Sequence, residues 1–401
     1  MKQAYIINGL RTAIGNFGGT LSTVRTDDLA AFVLQELVKK NPKVDFSHTG
    51  DLVMGCANQA GEDNRNVARM ALLLAGLPVS VPGQTVNRLC ASGLSAAIDA
   101  ARVIQTGDAE IMIAAGVENM TRGPLVMSKA SQAFGRDQQL YDSSFGWCFI
   151  NPKMKEKFGV DAMGETAENV AEKYNINRED QDRFAQWSQQ KAAKATASGR
   201  FSKEIIPIPI PQKKGEPVLF GTDEFAKPNT TLEGLSKLKA SFKKEGTVTA
   251  GNASGLNDGA AALLLAGEKG IAQFGLQPLA RIVSSAVVGV EPRIMGIGPV
   301  EAANRALQRA GLKFSDMDLV ELNEAFAAQS LACIRAWGLS DDDERINING
   351  GAIALGHPLG MSGARILNSA ALDLQIHHKK YALVTLCIGV GQGYAAIIER
   401  A

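Results

Sequence analysis

The sequence predicts an α/β fold built from two similar halves, and three observations support that prediction. Continuous apolar runs such as 111–117 and 382–386 are typical of strands that are buried on both faces. Between such runs, apolar residues recur at helical spacing, as they do from Leu94 to Ile104. Short segments near the start of the chain also recur, in the same order, near its end. Together these patterns indicate two related sheets, each covered by helices.

The repeat consists of three matches at nearly one offset. Residues 51–56 (DLVMGC) are similar to 318–323 (DLVELN). Ser92-Gly93 is similar to Ser362-Gly363, and each of these dipeptides stands at the start of a predicted helix. A fainter match relates 5–10 to 279–284. Chance likeness among apolar strands and glycine-rich turns is the alternative explanation, but the shared order favours duplication.

A more polar stretch separates the two halves. It contains the proline-spaced segment Ile206–Pro211 and two predicted helices, about 166–174 and 178–197, the second with Asn177 as its N-cap. We predict an N-terminal half over 1–268, an inserted loop domain within it at about 121–248, and a C-terminal half over 276–401. We expect the insertion to project from the first half and to cover an active site.

Composition limits the class of protein. The chain has 401 residues, a formal net charge of +1 and 21% charged residues, which argues against a strongly basic nucleic-acid binder. It has no stretch of about 18 apolar residues and no signal-peptide pattern, so we expect no membrane association. Its five scattered cysteines include no CxxC pair, so we expect neither a disulfide framework nor a metal site, and a cytoplasmic location.

Cys90 is the strongest candidate for a nucleophile. It follows an extended segment, 84–87, and precedes a helical apolar pattern with the small flanking residues Ala91, Ser92 and Gly93. A thiol at a helix N-terminus lies near the positive end of the helix dipole, which favours the thiolate. The alternative is a buried cysteine that packs as a small apolar residue, and the local context leaves both open.

Three further residues could take part in catalysis. His357 lies in a glycine-rich loop before Pro358, whereas the other three histidines occupy polar connections or turns, so His357 is placed as a base. Cys387 ends an apolar strand and leads into alternating glycines, whose backbone N–H groups could stabilise an oxyanion. Asn323 stands at a strand-to-helix junction, where an ordinary N-cap is the stronger explanation. A structural histidine remains the alternative for His357.

Common nucleotide and hydrolase signatures are missing from the sequence. It contains no GxxxxGK[ST], GxGxxG, GxSxG or HExxH motif. A P-loop enzyme, a typical dinucleotide-binding enzyme, an α/β-hydrolase and a zincin are therefore not supported.

Taken together, the motifs resemble those of the thiolase family over essentially the whole chain. The resemblance is carried by five motifs in family order: 87–93 (NRLCASG), 250–259 (AGNASGLNDG), 323–326 (NEAF), 356–360 (GHPLG) and 387–393 (CIGVGQG). It implies duplicated βαβαβαββ halves in five layers (αβαβα) with an inserted loop domain. Residues 55–70 (GCANQAGEDNRNVARM) are similar to the 3-oxoadipyl-CoA branch, which serves the breakdown of aromatic compounds.

The resemblance also implies the catalytic roles. Cys90 would be acylated, His357 would deprotonate it, and Cys387 would act as the second acid and base. Asn323 would position a water in one oxyanion hole, and the N–H groups of Cys90 and Gly389 would form the other. Coenzyme A would be a substrate rather than a cofactor, and the chain would form a homodimer or homotetramer.

For substrate and CoA binding, the resemblance implies six residues: Ser254, Met163, Phe326, Ala325, Lys227 and Phe242. Ala162-Met163 stands where short-chain members usually have His-Met, and Lys227 stands where some members have an arginine. Alternatives are a broad 3-oxoacyl-CoA thiolase and a non-catalytic acyl-CoA binder. A dicarboxylate substrate should need a cation, for which Arg65, Arg69 and Arg88 are candidates, although surface or interface ion pairs are the simpler explanation for each.

Overall fold

The computed structural model describes residues 2–401. The first half opens with a strand and three strand–helix alternations. Its elements are β1 (Tyr5–Arg11), β2 (Gly15–Asn16), α1 (Thr26–Lys40), β3 (Thr49–Gly55), α2 (Val67–Leu74), β4 (Gly83–Val86), α3 (Ser92–Thr106) and β5 (Ile111–Asn119).

A long segment then separates β5 from the last strand of the first half. It holds β6 (Leu125–Met127), β7 (Leu140–Asp142), α4 (Pro152–Phe158), α5 (Met163–Lys173), α6 (Arg178–Ala197), β8 (Ile208–Ile210), β9 (Val218–Phe220) and α7 (Leu232–Ser236). The first half closes with β10 (Asn257–Ala266) and the short helix α8 (Glu268–Phe274).

The second half repeats the pattern with shorter connections. Its elements are β11 (Ala280–Gly289), α9 (Gly298–Ala310), β12 (Leu319–Leu322), α10 (Ala327–Ala336), α11 (Ala352–Leu355), α12 (Leu359–Ile376), β13 (Tyr381–Ile388) and β14 (Gln392–Arg400). None of the helices within 2–401 is both long and apolar enough to cross a bilayer.

Strand order confirms the duplication. The first half runs β4-β3-β5-β10-β1 and the second runs β12-β13-β14-β11, the two joined by antiparallel pairing of β1 with β11. In the first half β3 pairs in parallel with β4, and in the second half Val320 of β12 makes a parallel bridge to Ile346 at the matching place. The 267-residue offset read from the sequence therefore relates β3 to β12, as predicted.

Helices α3 and α12 form the middle layer between the two halves. Helix α12 packs on β5 of the first half and β13 of the second, and it also packs along α3, which lies on β3 and β5. Helices α1 and α2 cover the outer face of the first half, and α9 covers that of the second. The five layers that the sequence resemblance implied are confirmed.

Glycines allow α3 and α12 to touch through their backbones. A Cβ built on Gly93 would lie 2.6 Å from the Gly360 carbonyl oxygen, and one built on Gly363 would lie 2.3 Å from the Leu94 nitrogen. No side chain fits at either position because the obstructing atoms belong to backbone. The contact joins the starts of the two helices that follow Cys90 and His357.

The inserted segment packs on both halves rather than projecting from the first. Helix α5 lies against α10, and α6 lies against α10 and α11. Buried Val170 and Phe184 join the apolar cluster of the second half, which is the physical reason for the difference from the expectation. Helix α6 has the predicted bounds, and the Asn177 side chain accepts the Asp180 N–H at 2.8 Å, as an N-cap.

Buried ion pairs also tie the insertion to both halves. The Arg11 guanidinium donates to Glu204 at 2.7 Å and to Asp223 at 2.7 and 2.9 Å, while Arg200 donates to Asp373 of α12 at 2.6 Å. Although burial opposes ionisation of Glu204, the charges of Arg11 and Arg200 hold its pKa at about 2. These buried ion pairs hold the insertion against Arg11 of β1 on one side and Asp373 of α12 on the other.

The helix contact predicts a steric penalty for Gly363→Ala. In an open helix this change gains about 1 kcal/mol, but here the added methyl meets the Leu94 backbone and should cost about 1–3 kcal/mol. Gly289→Ala is the control, since its Cβ would meet nothing closer than 4.0 Å. Urea unfolding of both variants checks the prediction, and a Gly363→Ala protein as stable as the control would contradict it.

Candidate active site

Cys90 lies where the sequence placed it, in a short 3-10 turn immediately before α3. The turn spans Leu89–Ala91, and Leu89 has a positive φ of 46°. The Cys90 side chain is buried, with 8% of the residue exposed, and the backbone N–H groups of Gly389 and of Cys90 itself lie near its sulfur, where they lower the pKa of the thiol. Two N–H groups thus converge on the atom that would carry an acyl group.

The ionisation of Cys90 differs from the sequence expectation. Burial raises the pKa of its thiol to about 11, and the two N–H groups only partly offset that effect. The helix N-terminus does not therefore produce a standing thiolate, because desolvation of the charged form outweighs it. Burial therefore outweighs any help that the helix start gives to the thiolate in the unliganded site, and Cys90 needs a base.

His357 lies just before α12, buried and held by its backbone N–H and by its Nδ1. Its backbone N–H donates to the Asn257 side chain at 2.9 Å, and its Nδ1 lies 2.6 Å from the Ser362 hydroxyl. That hydroxyl donates its single proton to the Pro358 carbonyl at 2.8 Å, so it accepts from Nδ1–H. The Nδ1–H tautomer follows, and Nε2 carries the free lone pair.

His357 is neutral at ordinary pH. Burial, with the charge of Arg365 acting in the same direction, lowers its pKa to about 3. A neutral imidazole with an unprotonated Nε2 can accept a proton, so His357 and the Cys90 thiol form a neutral acid–base pair. The only partner of Nε2 within 2–401 is the long contact from Asn323 Nδ2 at 3.4 Å, so this nitrogen keeps the ability to accept a proton.

Asn323 is not a helix cap. Helix α10 begins four residues later, with Phe326 at its N-cap, and the Asn323 N–H donates to Thr385 at 3.0 Å at the end of β13. Its Nδ2 lies 3.4 Å from His357 Nε2, a long contact, while its buried Oδ1 accepts no hydrogen bond from residues 2–401. The free Oδ1 fits an amide that orients a water or a bound ligand.

Cys387 lies near the end of β13, two residues before Gly389. The residue is fully buried, and burial, together with the charge of a Cys90 thiolate, raises the pKa of its thiol well above the ordinary value. Because Gly389 N–H reaches the Cys90 sulfur, the end of β13 and the start of α3 share one site. Cys387 there is a thiol that holds its proton until a strong base takes it.

A cavity of about 380 Å³ opens beside Cys90. Loops from both halves and from the insertion surround it. The residues that line it are Ala57, Asn58, Gln59, Leu89, Cys90, Glu118, Ser143, Ser144, Phe145, Gly146, Trp147, Ala162, Met163, Leu359, Gly389 and Val390. Met163 is therefore a wall of this cavity, as the resemblance implied, and the 143–147 loop of the insertion covers it.

The other predicted binding residues lie around neighbouring surfaces. The Ser254 N–H donates to the Ala325 carbonyl at 3.0 Å, and the Phe326 ring meets Phe242 edge to face at 6.3 Å between centroids. These four do not line the Cys90 cavity. Lys227 lines a separate cavity of about 330 Å³, where its ammonium lies 5.3 Å from the Phe225 ring centroid.

No arginine or lysine lines the Cys90 cavity in the part of the chain that the structure describes, 2–401. Arg88 donates to Ser95 at 2.7 Å and to Gln392, and Arg69 donates to backbone carbonyls, including that of Val79. None of the three candidate arginines is among the residues that line this cavity, so the cation for a dicarboxylate substrate stays a prediction without an assigned residue. The polar lining of the cavity is neutral, apart from Glu118.

Sequence reasoning missed three residues that shape the site. Ser362 sets the tautomer of His357, and Asn257 holds its backbone. Glu118, next to the end of β5, faces the cavity and accepts three backbone N–H groups. A carboxylate near the end of an otherwise apolar strand was the available signal for Glu118, whereas Ser362 and Asn257 lay in segments that the repeat and the family motifs marked without giving either residue a role.

Comparison with known proteins agrees with this architecture. Residues 4–269 match the model of the thiolase N-terminal domain, and residues 276–400 match that of the thiolase C-terminal domain. The chain is 58% identical over 400 residues to the beta-ketoadipyl-CoA thiolase of Acinetobacter baylyi, with 100% of both chains covered. It is equally identical, over the same length and coverage, to the 3-oxoadipyl-CoA/3-oxo-5,6-dehydrosuberyl-CoA thiolase of Escherichia coli.

Among solved structures, human mitochondrial 3-ketoacyl-CoA thiolase in complex with CoA superposes with a TM-score of 0.92 at 40% identity, covering 100% of this chain and 98% of that one. A fold with two such halves and a buried cysteine at a helix start defines an acyltransferase of the thiolase class. The chain belongs to the thiolase family.

The high pKa of Cys90 predicts how the free enzyme reacts with iodoacetamide. Since only the thiolate reacts, alkylation of the Cys90 peptide should keep rising with pH toward about 11, with no plateau below about pH 9. Peptide mass spectrometry over a pH series checks this. A plateau below about pH 8 would indicate a standing thiolate and would contradict the neutral pair.

The tautomer of His357 predicts the effect of Ser362→Ala. Loss of the hydroxyl frees Nδ1, so part of the enzyme should adopt the Nε2–H form, which cannot accept the Cys90 proton. The value of kcat should fall by about 10- to 100-fold. Steady-state kinetics with urea unfolding as the stability control tests this, and unchanged kcat in a folded variant would show that Ser362 does not set the tautomer.

Proposed function

We propose that this enzyme cleaves 3-oxoadipyl-CoA with coenzyme A, giving succinyl-CoA and acetyl-CoA through an acyl group on Cys90. The observation that carries the proposal is that Cys90 and Gly389 line one cavity of about 380 Å³, with the Gly389 N–H near the Cys90 sulfur. The names and full-length similarity of the two bacterial relatives support the choice of acyl chain.

In the first half-reaction, His357 Nε2 takes the proton of the Cys90 thiol and the sulfur attacks the C3 ketone of the substrate. The new oxyanion accepts hydrogen bonds from the N–H groups of Cys90 and Gly389. The C2–C3 bond then breaks, its electron pair passes to C2 of the acetyl-CoA enolate, and the Cys387 thiol protonates C2. Succinyl-Cys90, acetyl-CoA, a Cys387 thiolate and protonated His357 remain.

In the second half-reaction, coenzyme A takes the place of acetyl-CoA. The Cys387 thiolate removes the proton of the CoA thiol, and the CoA sulfur attacks the thioester carbon on Cys90. The C–S bond to Cys90 breaks, and the departing sulfur takes the proton from His357. Succinyl-CoA leaves, and all three side chains regain their starting protonation.

Preorganised donors explain why this reaction suits a buried site. Protonated His357 and a water held by Asn323 would stabilise the enolate oxygen, as the Cys90 and Gly389 N–H groups stabilise the alkoxide. Removing one such donor typically costs about 10²–10³ in rate. The neutral resting pair avoids a buried charge until the substrate arrives, because an unpaired ion there would be strongly disfavoured.

We assign the binding of coenzyme A to the region between the Cys90 cavity and Lys227. Ser254 would contact the pantetheine arm, Met163, Phe326 and Ala325 would form pocket walls, and Phe242 and Lys227 would lie along the CoA path. Lys227 is exposed and offers a point charge to a phosphate rather than a bidentate contact. The enzyme would act in the cytoplasm as a homodimer or homotetramer, without a cofactor.

A broader 3-oxoacyl-CoA thiolase, including acetoacetyl-CoA activity, is the second candidate. The absence of an arginine or lysine from the cavity lining within 2–401 favours it, because no cation there would pair with a terminal carboxylate. An acetyl-CoA acetyltransferase of Chromobacterium violaceum is also 46% identical to the chain, covering 99% of this chain and 100% of its own.

The acyl-enzyme predicts a mass shift on one peptide. Mixing the enzyme with 3-oxoadipyl-CoA in the absence of free CoA should add a succinyl group to the Cys90 peptide, and Cys90→Ala should show neither adduct nor turnover. Cys333→Ala is the matched control, because it alters a buried thiol in the apolar cluster of the second half, and this variant should keep the adduct on Cys90. An adduct on another residue would refute the mechanism.

Acyl preference separates the two candidate functions. We expect kcat/KM for 3-oxoadipyl-CoA to exceed that for acetoacetyl-CoA by at least about tenfold, which corresponds to about 1.4 kcal/mol of differential transition-state binding. Thiolysis assays under one set of conditions measure both. Equal or reversed values would select the broader enzyme and leave the Cys90 chemistry in place.

A further inference from the structure

Glu118 occupies an unusual position behind the reacting groups. It is the next-to-last residue of β5, only 1% exposed, and it lines the cavity that contains Cys90. Its Oε2 accepts the backbone N–H groups of Ala57 at 3.0 Å and Gly360 at 2.8 Å, and its Oε1 accepts that of Asn58 at 2.9 Å. One carboxylate thus satisfies three backbone donors from two separate loops.

These loops are the ones that shape the site. Asn58 belongs to the loop after β3 that lines the cavity, and Gly360 lies in the first turn of α12, three residues after His357. A carboxylate at the N-terminus of α12 also meets the positive end of that helix, which favours its charged form. Glu118 therefore joins the loop that ends in His357 to the wall of the Cys90 cavity.

The groups that face Glu118 oppose this charge. The Cys56 sulfur and a carboxylate oxygen of Asp63 each lie within 4.8 Å of a Glu118 oxygen. The charge of Glu118 also acts on Cys90, where it raises the pKa of the thiol. Burial first, and then Asp63, raise the pKa of Glu118 to about 7, against the three N–H groups that lower it. Burial, with the charges of Glu118 and Asp63, raises the pKa of Cys56 well above its ordinary value, so Cys56 faces the carboxylate as a neutral thiol.

Protonation would change what Glu118 can hold. An ionised carboxylate accepts on both oxygens, whereas a carboxylic acid presents one O–H that cannot accept along its hydrogen. At least one of the three N–H groups would then make a weaker hydrogen bond or would face the O–H of the protonated Glu118, which is itself a donor. Among the three, the Gly360 N–H is the one that lies next to the loop carrying His357, so loss of its hydrogen bond would release that loop.

We propose that ionised Glu118 is a positioning residue that holds the His357 loop against the Cys90 cavity through the Gly360 N–H. It touches no reacting atom in this scheme and acts through His357. The proposal deepens the acyl-transfer function proposed above and rests on it for its kinetic readout. It adds a carboxylate to the groups that the reaction requires.

Glu118→Gln is the direct test because it keeps the shape and removes the second acceptor. We expect kcat to fall by about 10- to 100-fold with KM changed by less than about twofold, since the base is misplaced while the binding surface stays. The wild-type rate should decline as pH falls through about 7, because the active form of Glu118 is ionised. That decline should be absent from Glu118→Gln.

Two variants control for a merely structural role. Glu118→Asp keeps the charge and should retain the acidic decline and part of the lost kcat. Glu224→Gln alters a carboxylate that accepts the Asn16 N–H at 2.8 Å but lines no part of the Cys90 cavity, and it should keep wild-type kinetics. Urea unfolding of all variants reports folding separately from the pH profile.

The outcomes separate the two proposals. Amide hydrogen exchange at Gly360 needs no thioester, and faster exchange in Glu118→Gln than in wild type supports the positioning contact even if 3-oxoadipyl-CoA is not the substrate. Failure of wild-type enzyme to acylate Cys90 would refute the proposed function alone. An acidic decline that persists in Glu118→Gln, or an unchanged kcat in that variant, would overturn the role of Glu118.

Discussion

The backbone contact between α3 and α12 determines where the chemistry can occur. Both helices begin immediately after a reactive residue, and Gly93 and Gly363 let their first turns approach without an intervening side chain. Duplication thus places a nucleophile before one middle helix and a base before its counterpart. The two halves supply different reactive groups at equivalent places, which explains why one site needs both of them.

Burial is the second constraint, and it decides the protonation states. The same desolvation raises the pKa of Cys90 to about 11 and lowers that of His357 to about 3, so the resting site carries a thiol and an imidazole without charge. Charge develops only during the reaction, and the fixed N–H groups and the Asn323 amide then stabilise it. A polar environment arranged in advance stabilises such charge without reorganising during the reaction.

The sequence predicted the duplicated fold, the helix over 178–197 and the places of Cys90 and Cys387, because each rests on local periodicity or an adjacent turn. It did not predict the Cys90 pKa, since desolvation depends on atoms that are distant in the chain. The apparent cap at Asn323 became a partner of His357 only when β12 met β13. Glu118 acts through contacts with residues 61 and 242 positions away, whereas Ser362 contacts His357 and Pro358 within one turn of the start of α12.

Nitrogen NMR of histidine-labelled enzyme tests whether Cys90 and His357 form a neutral acid–base pair, because it reads the proton positions on His357 without substrate. We expect a neutral ring with the proton on Nδ1, a bare Nε2, and no titration between about pH 5 and about pH 9. His357→Asn identifies the signal by its loss. An imidazolium near neutral pH, or a proton on Nε2, would contradict the account.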